Sequence, residues 1–437
     1  MEAPPPLRFS FQPLAGHKVR LGCGAQSPAR KKPRIGCGAQ SPARKKAKII
    51  LSPYSNHSAS GGTFSPSNSA AVQTNMFEFA KHLAPLLRAR FPGGFEKPKD
   101  LMTIPLDDWQ SSDVMWISAP CQPHCRIGKG LGDKDPRSLP FWRALEATKA
   151  LANREDRPLK MVIIENSPGI MDTKKKAGTC FYKLINAWWA SQMPTWTTLK
   201  PLFWDARDSG IAMSRPRVFL RSLQLDFLKL VQPLAQHLFD ADGGFTEPPR
   251  DWHLPLQPLA RFLDEDLRPI RRQDVKGRKM WANIVRYRKH AQAAFTSGVE
   301  IFIVHADRDP DMAFGAITSN DVMMSLTTKN YYIVLYGEPG CRVAPKEGRW
   351  LSLAERSRLC GIPPDDLSAF LSKRQMATGL GNCVPVQVAS TMLKPVAECM
   401  RIWNKVKATE SKRPVAKRRR LWAPSVLSIK AKEVCVA

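Results

Sequence analysis

The class this sequence predicts is α/β with a mostly parallel sheet, on three observations. Short apolar runs end in polar residues, stretches of helical spacing separate them, and Gly and Pro punctuate the joins. The run "DVMWISAP" (113–120) reads as a buried strand, and "KMVIIENS" (160–167) as a second. Between them "SLPFWRALEATKALANR" (138–154) has helical spacing, and "RVFLRSL" (217–223) reads as a third strand. Upstream, "TNMFEFAKHLAPLLRARF" (74–91) is expected to be helical. In such folds ligands bind at the carboxyl ends of strands, which is where Cys121 and Glu165 stand.

Residues 225–345 are less regular. They open Pro- and Asp-rich and then become cationic in "RPIRRQDVKGRKMWANIVRYRK" (268–289). Trp281 and Tyr287 interleave with that charge, as on a nucleic-acid surface; a solvated helix face is the other reading. Helical patterns resume after about residue 350 and run through Trp403.

With 437 residues, 43% of them hydrophobic, the chain can bury a real core and is expected to form two or three units. Nothing approaches the length of apolar run that spans a bilayer, so no membrane partner is expected. "MEAPPPLRFSFQPLAG" lacks the charged and apolar regions of a secretory signal. The ten cysteines are scattered, which fits a reducing compartment rather than a disulfide scaffold.

The net charge is +29. Residues 1–50 hold 11 Lys and Arg against the single acid Glu2; residues 404–437 hold 10 against Glu410 and Glu433. Such a balance points to a polyanionic partner, nucleic acid first, over a generic solubility charge. The N-terminal tail repeats itself, "LGCGAQSPARKKPR" (21–34) then "IGCGAQSPARKKAK" (35–48), with no apolar periodicity. This segment and the C-terminal "KRPVAKRRR" (412–420) read as phosphate-contacting arms or nuclear localisation signals, and a nuclear location is expected.

The chemistry concentrates in "ISAPCQPHC" (117–125). As a zinc site it lacks a second ligand pair at suitable spacing, and no metal is expected. As a redox pair it has three residues between the cysteines rather than two. A structural turn and a nucleophile loop remain.

Five segments in order resemble the cytosine-C5 methyltransferase family. "APCQPHCRIGKGLGDKDPRS" (119–138) resembles its Pro-Cys-Gln nucleophile loop, and "ENSPGI" (165–170) its Glu-Asn-Val motif. "MSRPR" (213–217) is similar to Gln-x-Arg-x-Arg, and "LSLAERSRLCGIP" (351–363) to the segment that follows the recognition domain. "GLGNCVPVQVA" (379–389) resembles the closing Gly-Asn-Ser-Val-Pro motif. Departures are Met213 for Gln, Ser167 for Val, and His124-Cys125 for Phe-Ser or Phe-Thr. Where the family has Phe-x-Gly-x-Gly, "SPYSNHSASGGTF" (52–64) offers Tyr54 as the aromatic, with Asn56 and Ser58 at the glycine positions.

The resemblance implies a Rossmann-like S-adenosylmethionine-dependent methyltransferase fold with a smaller target recognition domain. The expected layout is a basic repeat tail over 1–49, catalytic domain over 50–224, recognition domain over 225–345, closing catalytic part over 346–404 and basic tail over 405–437. It implies Cys121 as the thiolate that adds to cytosine C6, and Glu165 as the group that protonates N3, a role requiring a dry pocket. Arg215 and Arg217 would hold the base or its phosphate and orient Cys121. Cofactor-binding residues by the same likeness are Tyr54, Glu78, Asp100, Pro120 and Asn382, and Cys125 is left as packing.

DNA is the expected substrate, with its cytosine turned out of the stack. Transfer RNA is the rival, because the nucleophile loop is also similar to the transfer-RNA branch of the family; residues 225–345 lack that branch's Cys-Phe-Thr motif. A catalytically silent nucleic-acid-binding protein is the further alternative, and a purely chromatin-associated protein explains only the tails.

Overall fold

The structure, a computed structural model, describes residues 48–49, 77–78, 85–86 and most of 100–411. Within that last span, 110, 126–129, 174–177, 240–252, 265–267, 276, 312–321, 329–330 and 338–347 are outside the described set. Both basic tails, the 52–64 stretch and Tyr54 are outside it too, as is the side chain of Glu78.

The strands in chain order are β1 (Lys48–Ile49), β2 (Phe77–Glu78), β3 (Val114–Ser118), β4 (Met161–Asn166), β5 (Trp196–Thr198), β6 (Leu202–Trp204), β7 (Met213–Ser214) and β8 (Arg217–Gln224). They are followed by β9 (Ile301–His305), β10 (Met323–Met324), β11 (Tyr332–Tyr336) and β12 (Arg349–Trp350). The helices are α1 (Leu139–Ala152), α2 (Phe181–Gln192), α3 (Leu225–Val231), α4 (Arg278–Thr296), α5 (Leu353–Leu359), α6 (Pro364–Ser368), α7 (Lys373–Asn382) and α8 (Val386–Ser411).

The main sheet runs β2-β1-β3-β4-β8-β5, with β6 also on β8. The α/β class holds, but the sheet is mixed rather than mostly parallel. Among the described strands only β3 and β4 of this sheet pair in parallel, joined by the α1 crossover. The pairs of β8 with β4, β5 and β6 are antiparallel. β5 and β6 run in the same direction along β8, two pieces of one edge strand interrupted at 199–201. The helical expectation for 74–91 holds at 85–86 and fails at Phe77–Glu78, which pair antiparallel with Lys48–Ile49 and give their backbone groups to a neighbouring strand rather than to a helical turn.

Every residue of β4 is buried, as expected of a strand covered on both faces. Its side chains alternate between two cores. Val162 and Ile164 join Met115 and Ile117 of β3, with Phe141, Leu145, Phe181 and Ile185 from α1 and α2. Met161 and Ile163 join Trp116 and Phe219 on the opposite face, with Phe227 of α3 and Val388, Met392 and Cys399 of α8. Polar residues that continue this second register reach the same side of the sheet.

A three-stranded antiparallel sheet, β12-β11-β9, forms in the 301–350 region. Helix α4 covers one face with Ile284, Tyr287, Ala291 and Phe295, whose spacing of three and four makes a single stripe. Tyr287 is therefore a core residue, not the surface aromatic expected. Trp281 stays half-buried, between the guanidinium groups of Arg272 and Arg288, 5.8 and 5.3 Å from its ring. The other face of this sheet, through Ile301, Ile303, Tyr332 and Val334, shares the core of the large sheet.

Candidate active site

Strand register assembles the centre of the site. In the parallel β3–β4 pair Ser118 stands opposite Glu165. In the antiparallel β4–β8 pair Glu165 stands opposite Phe219, so Arg217, two residues before Phe219, is its diagonal neighbour on the same face. Trp116 shares that face with Ser118 by strand alternation. Four side chains then bond in a line. Trp116 Nε1 donates to Ser118 Oγ at 2.9 Å, Ser118 Oγ to Glu165 Oε2 at 2.9 Å, and Arg217 Nε lies 2.8 Å from Glu165 Oε1. Glu165 is 8% exposed, so these contacts are shielded from solvent.

Cys121 follows β3 by three residues and opens one turn of helix. The amides of His124 and Cys125 both donate to the Cys121 carbonyl, at 2.9 and 2.8 Å. That turn puts Cys125 on the same side as Cys121 and within hydrogen-bonding reach of its thiol. The hydrogen bond that the protonated Cys121 thiol gives to Cys125, then burial, push the Cys121 thiol well above its ordinary pKa; the negative charge of Glu165 adds to this and the guanidinium of Arg217 opposes it. Cys125 is thus more than packing: its Sγ also lies 3.8 Å from Ser167 Oγ.

The rest of the loop is pinned from behind. His124 is buried against Phe181, ring centroids 4.1 Å apart, which gives this unusual residue an aromatic seat beside Phe141 and Trp142. Asp135 accepts from Arg137 through both side-chain oxygens, and Ser138 Oγ donates to the Gly132 carbonyl at 2.8 Å. Gly132 takes φ +55°, in the left-handed region that glycine adopts without strain, and its amide closes on the Pro123 carbonyl.

The two arginines separate. Arg217 meets Glu165. Arg215 is buried and directs its guanidinium to four acceptors: Ser325 Oγ at 3.1 Å and the carbonyls of Leu326, Gly381 and Cys383 at 2.8, 3.0 and 2.8 Å. Its own amide donates to Asp205 Oδ1 at 2.9 Å. This arginine ties the start of β8 to the segment after β10 and to the end of α7.

Of the residues expected to hold a cofactor, three have described side chains. Asp100 caps a short turn, its Oδ1 accepting from the Met102 amide at 3.0 Å, which leaves Oδ2 as an acceptor beside buried Leu101 and Ile104. Pro120 is half-buried just past β3. A carboxylate oxygen there suits the exocyclic amine of an adenosyl group, which donates. Asn382 is exposed at the end of α7, beside the Gly381 and Cys383 carbonyls held by Arg215.

Ser118, Trp116 and Cys125 were missed as members of the site. Period-two alternation puts Trp116 and Ser118 on one face of their strand, and an i, i+4 spacing links Cys125 to Cys121; those were the available signals.

A thiol on a turn beyond one strand thus stands beside a carboxylate at the end of the next, with a guanidinium bonded to that carboxylate. The chain belongs to the C-5 cytosine-specific DNA methylase family, whose profile matches residues 68–398. It is 26% identical over 287 residues to the type II methyltransferase M.MthTI of Methanothermobacter thermautotrophicus, spanning 63% of this chain and 76% of that protein. Similar solved structures include a DNMT2 mutant from Spodoptera frugiperda (17% identity, 73% of this chain, 90% of that one, TM-score 0.48). Another is the methyltransferase EhMeth of Entamoeba histolytica (14% identity, 74% and 89%, TM-score 0.44). The fold is the Rossmann-like methyltransferase α/β fold.

Proposed function

We propose that this protein methylates C5 of cytosine in DNA with S-adenosylmethionine, through a covalent bond between Cys121 and C6 of a base turned out of the stack. The observation that carries this is the convergence of Cys121, Glu165 and Arg217 at the ends of β3, β4 and β8. Residues 225–345 serve as the recognition domain, and the basic tails add phosphate contacts and direct the protein to the nucleus.

Cytosine C5 is a poor nucleophile until C6 gains a substituent. Cys121 supplies it as a thiolate, the form the free site disfavours; the nearby charges of Arg217 and Arg137 support that anion once it forms. Glu165 hands a proton to N3, so the ring accepts the electron pair that arrives with sulfur. Arg217 holds the carboxyl toward the base. Asp100 and Pro120, with Tyr54, Glu78 and Asn382, hold S-adenosylmethionine, which when bound supplies an electrophilic methyl group. A solvent water then takes the C5 proton, that bonding pair forms the C5–C6 double bond as Cys121 leaves with the C6–S pair, and N3 returns its proton to Glu165.

The test is incubation of the full chain with methyl-labelled S-adenosylmethionine and either duplex DNA or transfer RNA, beside Cys121→Ala. Label in DNA that vanishes in the variant is the expected result. Label in RNA alone moves the substrate to RNA, a reading favoured by the "PCQPHCRIG" loop. No label in either, with no cofactor binding by calorimetry, overturns the enzymatic reading in favour of a silent binder.

A further inference from the structure

We propose that Ser118 is a positioning residue for Glu165, holding its carboxyl in the plane and direction that proton delivery to the base requires. The inference rests on the reading of Glu165 given above. It follows from which atoms can donate. Trp116 Nε1 is a donor only, so its 2.9 Å contact uses a lone pair of Ser118 Oγ. The hydroxyl's one proton is then free to point at Glu165 Oε2, 2.9 Å away. Arg217 Nε takes the other oxygen at 2.8 Å. The carboxyl is clamped from both sides, and each clamp has a fixed base. Trp116 is 4% exposed and packs edge-on against Phe219, ring centroids 5.9 Å apart. Arg217 begins β8, the strand paired with β4.

A glutamate has three side-chain torsions, and one oxygen released from its donor gains rotational freedom. Ser118 touches no reacting atom, so its loss acts through Glu165. This separates it from a residue that merely packs. Its effect falls on turnover rather than on binding, a same-chemistry replacement restores it, and it disappears when Glu165 no longer works.

The experiment is a double-mutant cycle in the full-length protein, using labelled S-adenosylmethionine and its nucleic-acid acceptor. Ser118→Ala is expected to lower kcat about tenfold, the scale of one hydrogen bond to a charged group, with KM for both substrates unchanged and the melting temperature lowered by a few degrees as buried Trp116 Nε1 loses its acceptor. Ser118→Thr, which keeps the hydroxyl, is expected to retain the parent kcat. Glu165→Gln removes most activity, and adding Ser118→Ala to it costs nothing further. A full-rate Ser118→Ala, a loss confined to KM, or an undiminished Ser118→Ala effect in the Glu165→Gln background overturns the proposal. A full-rate Glu165→Gln instead overturns the reading of Glu165 itself. Crystals of Ser118→Ala give a readout independent of turnover: a Glu165 side chain swung from its parent position supports the clamp, and an unmoved one overturns it.

Discussion

Cys125 shares one helical turn with Cys121, its amide 2.8 Å from the Cys121 carbonyl, and its thiol helps keep the nucleophile protonated. The consequence is direct. In Cys125→Ala the largest cause of the upward shift is gone, so Cys121 ionises at lower pH. The expected result is faster alkylation of Cys121 by iodoacetamide at pH 8, read by mass spectrometry on the peptide that contains it. An unchanged or slower rate contradicts the role given to Cys125.

Arg215 and Arg217 are expected to fail in different ways. Arg215→Ala strips the donor from four acceptors, among them the buried Leu326 carbonyl. The expected loss is about 2 to 4 kcal/mol of unfolding free energy, since each buried carbonyl left unsatisfied costs about 1 to 3 kcal/mol and part of that loss is recovered by relaxation. Arg217→Ala is expected to cost about 1 to 3 kcal/mol of unfolding free energy, because the buried Glu165 loses its cation and keeps only Ser118, while methylation falls at least tenfold. Urea denaturation beside a methylation assay separates the two.

His305 carries a pH dependence of stability. Burial, reinforced by the charges of Arg308 and Arg356, holds its imidazole down to about 3, against 6.5 when unfolded. The unfolded chain therefore binds the extra proton first. Stability from this group is complete above pH 6.5 and is lost as pH falls from there toward 3, roughly 2 kcal/mol of it by pH 5. His305→Gln is expected to flatten the pH 5 to 7 portion of the unfolding free energy by that amount. An unchanged slope contradicts the burial of a neutral ring.

Gly381 marks a close approach. A Cβ built there would lie 2.4 Å from both the Thr327 carbonyl carbon and the Thr328 amide nitrogen. Backbone cannot move aside as a side-chain tip can. Gly381→Ala is expected to cost about 1 to 3 kcal/mol, the usual range for overpacking, and to loosen the Arg215 contacts at the end of α7. Thermal denaturation checks the first and amide hydrogen exchange at Cys383 the second.

Much of this architecture was legible before any coordinates. Apolar runs with polar ends marked β3, β4 and β8 within a residue or two, because buried strands announce themselves by composition. The direction of β8 was not legible, since strand sense depends on connection length and sheet order rather than on side chains. The place of Tyr287 was missed for a related reason: charge on both sides of a residue in sequence says little about a helix whose buried stripe passes through it. In the site, Cys121 and Glu165 were visible as polar residues at strand ends. Ser118 was not, because only the β3–β4 register reveals that it faces Glu165. Arg215 and Arg217 looked alike in sequence; alternation along the chain and the fold of a distant segment give them different partners.

The core on the Glu165 side of the sheet gathers residues from Trp116 through Cys399. A ribosome delivers these over most of the length of the chain, and α8 comes near the end. The main sheet can pair its strands early, but one of its faces has only part of its cover, from α3 and the small sheet, until α8 emerges. During synthesis that part-covered face is a natural client surface for chaperones. A premature stop just before α8 removes Val388, Met392 and Cys399 from the core that holds Met161, Ile163 and Phe219, so truncated products are expected to aggregate or be degraded rather than retain partial function.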